Sequence, residues 1–249
     1  MTTEPRPKKT SIDVDLKPLI PPGYVKAAGV VLVLFILWGL LTPATYHGPP
    51  SKRSHASNQL KQIGLAFDGY QDGWGRLPAR AIYDPSGKPL LSWRVAILPF
   101  VEGSELYKQF HLDEPWDSPH NLALVEQMPE VYKNPESTSA IETHYLAADG
   151  PECFFGGENS GVTTEILDGA DETILVVEAD RAVVWTKPED LHYTASDPKK
   201  DLRTHRPRGF MALLADGSAH YIKHETEDDT VSGLMTTEGG EDVRAALKE

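Results

Sequence analysis

Cysteine is nearly missing from this 249-residue chain: Cys153 stands alone, so no intramolecular disulfide can form and Cys-rich zinc modules are excluded. Positive charge is also scarce. Lys and Arg number 24 against 37 Asp and Glu, a formal net charge of −13, and no basic patch stands out that would hold a phosphate backbone; nucleic acid is therefore not an expected partner. The better-defined catalytic signatures are absent too. There is no Gly-x-Ser-x-Gly elbow, P-loop, Gly-x-Gly-x-x-Gly or His-Glu-x-x-His, which weighs against an enzyme and supplies no cofactor site. What remains is ordinary globular composition, 40% apolar and 24% charged, so the fold must be held by packing.

Long hydrophobic runs are rare, with one exception. Ala27 to Ala44 is eighteen residues without a charge, about 27 Å if helical and just enough to cross a bilayer core. It exceeds the usual signal-peptide apolar region, and no A-x-A site follows it. Arg6, Lys8, Lys9, Lys17 and Lys26 precede it, against Lys52, Arg53 and Lys61 just beyond, which favours an N-terminus inside. The expectation is a flexible cytoplasmic tail over 1–24, a transmembrane helix over 25–45, and an exterior domain over 46–249. That exterior part carries 19 Lys/Arg and 34 Asp/Glu, a net −15.

Within the exterior domain Ala56, Leu60, Ile63, Phe67 and Tyr70 recur at spacings of four and three, one face of an amphipathic helix. Ser51 or Ser54 can cap it, and Gly69, Gly73 and Gly75 mark where it frays and stops. Leu60, Ile63 and Phe67 are expected to pack on a sheet, leaving Lys61 and Asp68 outside. Residues 81–84 and 90–95 flank Pro85-Ser86-Gly87 as a hairpin. Short helices are expected over 105–110 and, capped by Ser118-Pro119, to about Gln127. Strand signals dominate the second half at 144–147, 173–178, 182–186, 210–215 and 220–223. Asp216-Gly217 lies between the last two as a hairpin turn, Val231 to Met235 reads as a short helix, and Gly239-Gly240 as a break. Helix first and antiparallel strands later predict an α+β domain.

The densest polar group is Glu178 and Asp180 at a strand end, His205 before another strand and Asp216 at its turn. Carboxylates with imidazole can bind a divalent metal or exchange protons. The plainer expectation is that Asp180 and Asp216 bond local turn backbone while Glu178 and His205 each make one structural contact, with no metal or catalytic role. Trp93, Trp116 and Trp185 sit in polar surroundings; they line a sugar or peptide pocket, or are core residues with hydrogen-bonded N–H groups. Cys153, in Pro-Glu-Cys-Phe-Phe, reads as a buried inert thiol.

Several of these segments carry a resemblance. Residues 58–66 (NQLKQIGLA), Leu-Ser-Trp-Arg-Val at 91–95, the run from Pro115 to Asn121 and that from Trp185 to Leu191 resemble a large bacterial family of uncharacterised proteins. That family has a prepilin-type N-terminal helix and a C-terminal signature of His, nine residues, then Asp-Gly. The resemblance runs from about residue 27 to the end and implies a pseudopilin-like architecture: a membrane helix continuing into an amphipathic helix on an antiparallel sheet. The chain departs from it twice. Pro21-Pro22-Gly23-Tyr24-Val25-Lys26 stands where the family's prepilin peptidase site would be, and ten residues separate His205 from the Asp216-Gly217 pair. One extra residue reverses the facing of paired side chains on a strand unless a bulge absorbs it.

The function expected from the sequence is a single-pass protein of the bacterial cytoplasmic membrane with an extracytoplasmic domain. It would be anchored in lipid through Ala27 to Ala44 and serve a structural or assembly role through envelope protein partners. A tethered binding module for a carbohydrate, peptide or cation is the alternative, and a metal-assisted hydrolase the third class.

Overall fold

The computed structural model describes residues 31–32, 51–156, 169–203, 205–237, 243 and 246–247. The chain divides into two compact units, Met1–Pro49 and Pro50–Glu249. Among the described residues no helix is long and apolar enough to cross a membrane. Apart from helical Val31 and Leu32, the run expected to do so lies outside them, as do the 1–24 tail and the Gly239-Gly240 break.

The second unit opens with helix α1 (Lys52–Trp74), in which the Ser51 side chain accepts from Ser54 N–H and Gly75 closes the helix at φ 70°. The expected glycine stops are corrected at two positions: the helix runs straight through Gly69 and Gly73 because both pack against the Phe100 ring. A Cβ at Gly69 would lie 2.9 Å from Phe100 Cδ1. Strands β1 (Ala81–Tyr83) and β2 (Pro89–Ser92) form the expected hairpin. Its second arm ends early, since Ser92 accepts from the backbone N–H of Arg94 and starts a helical turn, α2 (Trp93–Ala96). Two more single turns, α3 (Ser104–Tyr107) and α4 (Pro119–Leu122), the latter capped by Ser118, carry the chain across.

The main sheet has strand order β5-β3-β4-β6-β7, formed by β3 (Glu142–Asp149), β4 (Ile174–Val184), β5 (Leu191–His192), β6 (Gly209–Leu214) and β7 (Ala219–Lys223). All pairings are antiparallel except β3 with β5. The two strands expected at 173–178 and 182–186 are one. Tyr145 pairs with Glu178 and Thr143 with Val183, so β4 advances five positions while β3 advances two, and the surplus bulges out of the ladder. The expectation that Glu178 and Asp180 sit at a strand end is corrected with it: both lie mid-strand, Asp180 within the bulge.

Side chains of β3 and β6 alternate between two buried faces. Tyr145, Ala147, Met211 and Leu213 face the cluster that holds Ala56, Leu60, Ile63 and Phe67 of α1 with Trp93 and Trp185. Leu146, Ala148, Phe210, Ala212 and Leu214 face the opposite cluster, closed by Val231, Leu234 and Met235 of α5 (Asp228–Met235). The result is the expected α+β domain with its first helix on an antiparallel sheet. Gly64 sets the approach: a Cβ there would stand 3.0 Å from Gly217 Cα and 3.1 Å from Leu213 Cδ1.

Candidate functional site

A buried polar seam runs between β4, the segment following the 130–132 turn and the approach to β6. Glu178, with a fully buried side chain, lies at its centre. Oε1 accepts from Asn134 Nδ2 at 2.6 Å and from Arg206 Nη2 at 2.8 Å, while Arg206 Nε donates to Oε2. His205 Nε2 stands 3.4 Å from Oε1 and 3.2 Å from Asn134 Oδ1. Burial alone would raise the Glu178 pKa, but the hydrogen bonds from His205, Arg206 and Asn134 and the Arg206 charge outweigh it and bring it down to about 2. This carboxylate is an anion across the physiological range, held by a bidentate guanidinium, and a poor proton acceptor.

The β4 bulge aims Asp180 at the chain leading to β6, where it accepts from the backbone N–H groups of Arg203 (2.8 Å) and His205 (2.7 Å). His144 donates through Nδ1 to the Ala179 carbonyl at 2.9 Å and lies against His205 with ring centroids 4.3 Å apart. Burial, reinforced by the neighbouring imidazole, lowers its pKa. At the outer end Arg206 Nη1 reaches Glu136 at 3.4 Å, and Lys52 of α1 pairs with the same carboxylate at 2.7 Å. The seam thus ties the start of α1 to the centre of the sheet.

A second buried knot joins the hairpin to the sheet. Arg94 and Asp190 form an ion pair at 2.7 Å with both side chains fully buried. Asp190 Oδ1 also accepts from Trp93 Nε1 at 3.1 Å and Ala147 N at 2.8 Å, and Arg94 donates to the Tyr145 carbonyl and Ser92 Oγ. Burial raises the Asp190 pKa despite the adjacent guanidinium.

Of the four polar residues singled out in the sequence, the fold gathers Glu178, Asp180 and His205 and leaves Asp216 elsewhere. His205 precedes β6 and Asp216 follows it, so a six-residue strand of about 20 Å separates them. Asp216 accepts from Ser218 N–H at 2.8 Å, and Gly217 takes φ 81°, the expected turn chemistry. Two details are corrected: Asp180 bonds backbone more than twenty residues away, not its own turn, and Glu178 has several partners, not one. Among the described residues no group of three His, Cys, Asp or Glu is placed to hold a metal. Sequence reasoning missed Asn134, Arg206 and the Arg94–Asp190 pair. Arg94 and Asp190 lie inside the family-like runs, which was the one available signal.

The tryptophans divide. Trp93 and Trp185 are wholly buried, Trp185 donating to the Val125 carbonyl at 2.8 Å, whereas Trp116 is half-buried with Lys187 Nζ 5.8 Å from its ring. Cys153 is buried, and burial pushes its thiol up to about 12.

The class defined by this geometry is an α+β domain in which a long amphipathic helix is fastened to an antiparallel sheet by buried polar ties. Residues 51–151, from the edge of α1 to just past β3, match a family described as a protein of unknown function (DUF1559). No curated protein and no solved structure matches the chain. His205, Asp216 and Gly217 lie beyond the matched stretch.

Proposed function

We propose that the chain is a membrane-anchored, pseudopilin-like envelope protein that works through protein contacts and not by turnover. The observation that carries this is the placement of α1: a 23-residue helix laid on an antiparallel sheet, beginning within eight residues of the eighteen-residue uncharged run. The polar candidates for chemistry support it, since Glu178, Asp180 and Asp190 are each engaged by several donors of their own chain. The ligand-binding alternative loses two of its three motivating aromatics to the core.

The test is fractionation of the full-length chain expressed in a bacterial host, with intact-mass measurement. The expected result is retention in the membrane pellet after alkaline extraction, removal of the exterior domain by protease added from outside, and a mass that keeps residues 1–24. Release into the soluble fraction, or a mature N-terminus near Val25, overturns the proposal.

A further inference from the structure

The solvent face of α1 has an unusual charge order. Residues 52–61 include Lys52, Arg53 and Lys61 with no acid, and residues 62–74 include Asp68 and Asp72 with no base. The helix macrodipole favours the reverse order at both ends, and Asp68 and Asp72 repel each other at i,i+4. Asp68 also feels Asp216. Among the described residues, neither Lys61, Asp68 nor Asp72 forms an ion pair within the chain, while Lys52 is taken by Glu136. Between the two halves Leu65 is 69% exposed, beside a groove lined by Phe100, Val101 and Val131. This order costs an isolated helix something; inside the monomer Lys52 finds Glu136 and Arg53 the Tyr221 ring, whereas among the described residues Lys61 and the two aspartates gain no ion pair from it.

Lys61, Leu65, Asp68 and Asp72 follow one another at spacings of four, three and four, so they form a single stripe. The stripe is complementary to itself when reversed. With a two-fold axis at Leu65, Lys61 lies about 6 Å to one side along the helix and Asp68 about 4.5 Å to the other. In an antiparallel pair, Lys61 of each copy therefore comes within about 1.5 Å, measured along the axis, of Asp68 of its mate, and Asp72 is within a lysine's reach. Leu65 meets Leu65 on the axis, and the macrodipoles oppose each other favourably. A parallel pair staggered to bring Lys61 to Asp68 would instead set Leu65 against Asp72. We infer that the outer face of α1 is a homodimer surface on which a second copy of this chain packs antiparallel, as an isologous contact centred on Leu65.

This inference rests on the proposal that the protein works through protein contacts, and names the partner. It is tested on the full-length chain in detergent micelles. Leu65→Cys is expected to give a disulfide-linked dimer at least tenfold faster than Ser86→Cys, an exposed position on the β1–β2 turn, while the unsubstituted chain with its buried Cys153 gives none. In sedimentation, Lys61→Glu and Asp68→Lys should each weaken self-association at least fivefold, and the doubly substituted chain should regain it. A monomer at every concentration, cross-linking of Leu65→Cys no faster than the Ser86→Cys control, or failure of the charge swap to rescue overturns the inference. So does cross-linking of a Leu65→Cys chain to an Asp72→Cys chain in preference to Leu65→Cys with itself, which would mark a staggered parallel contact, since the antiparallel pair leaves those two positions about 10.5 Å apart along the axis. A monomer that stays in the membrane pellet sinks this inference alone, and a soluble dimer sinks only the anchoring.

Discussion

Glu178 shows how one carboxylate couples distant parts of the chain: Asn134 and Arg206 lie 44 and 28 residues from it. Its folded pKa of about 2 is below the ordinary glutamate value of about 4.3, so its contribution to stability is complete above that value and is lost as pH falls toward about 2. Glu178→Gln leaves the Arg206 guanidinium, 8% exposed, without its main counter-charge, and removing one partner of such a pair costs about 3–5 kcal/mol. Denaturant titrations across pH should show that deficit at pH 7 and a narrowing gap from the unsubstituted protein below about pH 4. A constant gap across the acid range would contradict the assignment. The lone thiol gives a second expectation at this scale. Cys153, buried and with its pKa pushed up to about 12, should react with a thiol reagent only through opening of the fold, at a rate that follows global unfolding in denaturant.

At the scale of elements, the contact between α1 and the β6–β7 turn is closer than side chains allow. Gly64→Ala gains helix propensity of about 1 kcal/mol, yet its methyl would meet the Gly217 backbone, so a net loss of about 1–3 kcal/mol is expected. Gly217→Ala should lose more than about 1 kcal/mol for a different reason, its φ of 81°. Lys61→Ala, on the outer face, should stay within about 0.5 kcal/mol in thermal unfolding at concentrations where the chain is monomeric. These elements were also the most legible in the sequence. Leu60, Ile63 and Phe67 follow a helical period over many residues, and Asp216-Gly217 is local turn chemistry. Less legible was anything decided by a distant partner. The β4 bulge interrupts the strand signal at Ala179-Asp180-Arg181 because those residues serve other segments, and the two residues of β5 are strand only because β3 lies beside them. Nothing local links Asn134 or Arg206 to Glu178, so the seam could not be assembled from spacing. Gly69 and Gly73 look like stops until Phe100 is placed against them.

For the whole molecule, a 46–249 stretch carrying −15 repels itself, and its described cations are largely committed to pairs such as Arg206–Glu178 and Arg94–Asp190. Moderate salt screens that repulsion over about 8–10 Å and should raise the melting temperature between 10 and 150 mM sodium chloride, whereas the buried pairs are little affected. The position of α1 has a further consequence, in time. Its apolar face is covered by β6 and β7, and β6 begins 135 residues after Trp74. At roughly 5–20 residues per second, a nascent chain waits about 7–27 s between making the helix and making the strand that covers it. During that interval Leu60, Ile63 and Phe67 can gather Trp93 and the 98–100 and 130–132 turns but lack the cover of β6 and β7. The first element of the domain to be synthesised therefore cannot complete its packing until nearly all the rest has followed.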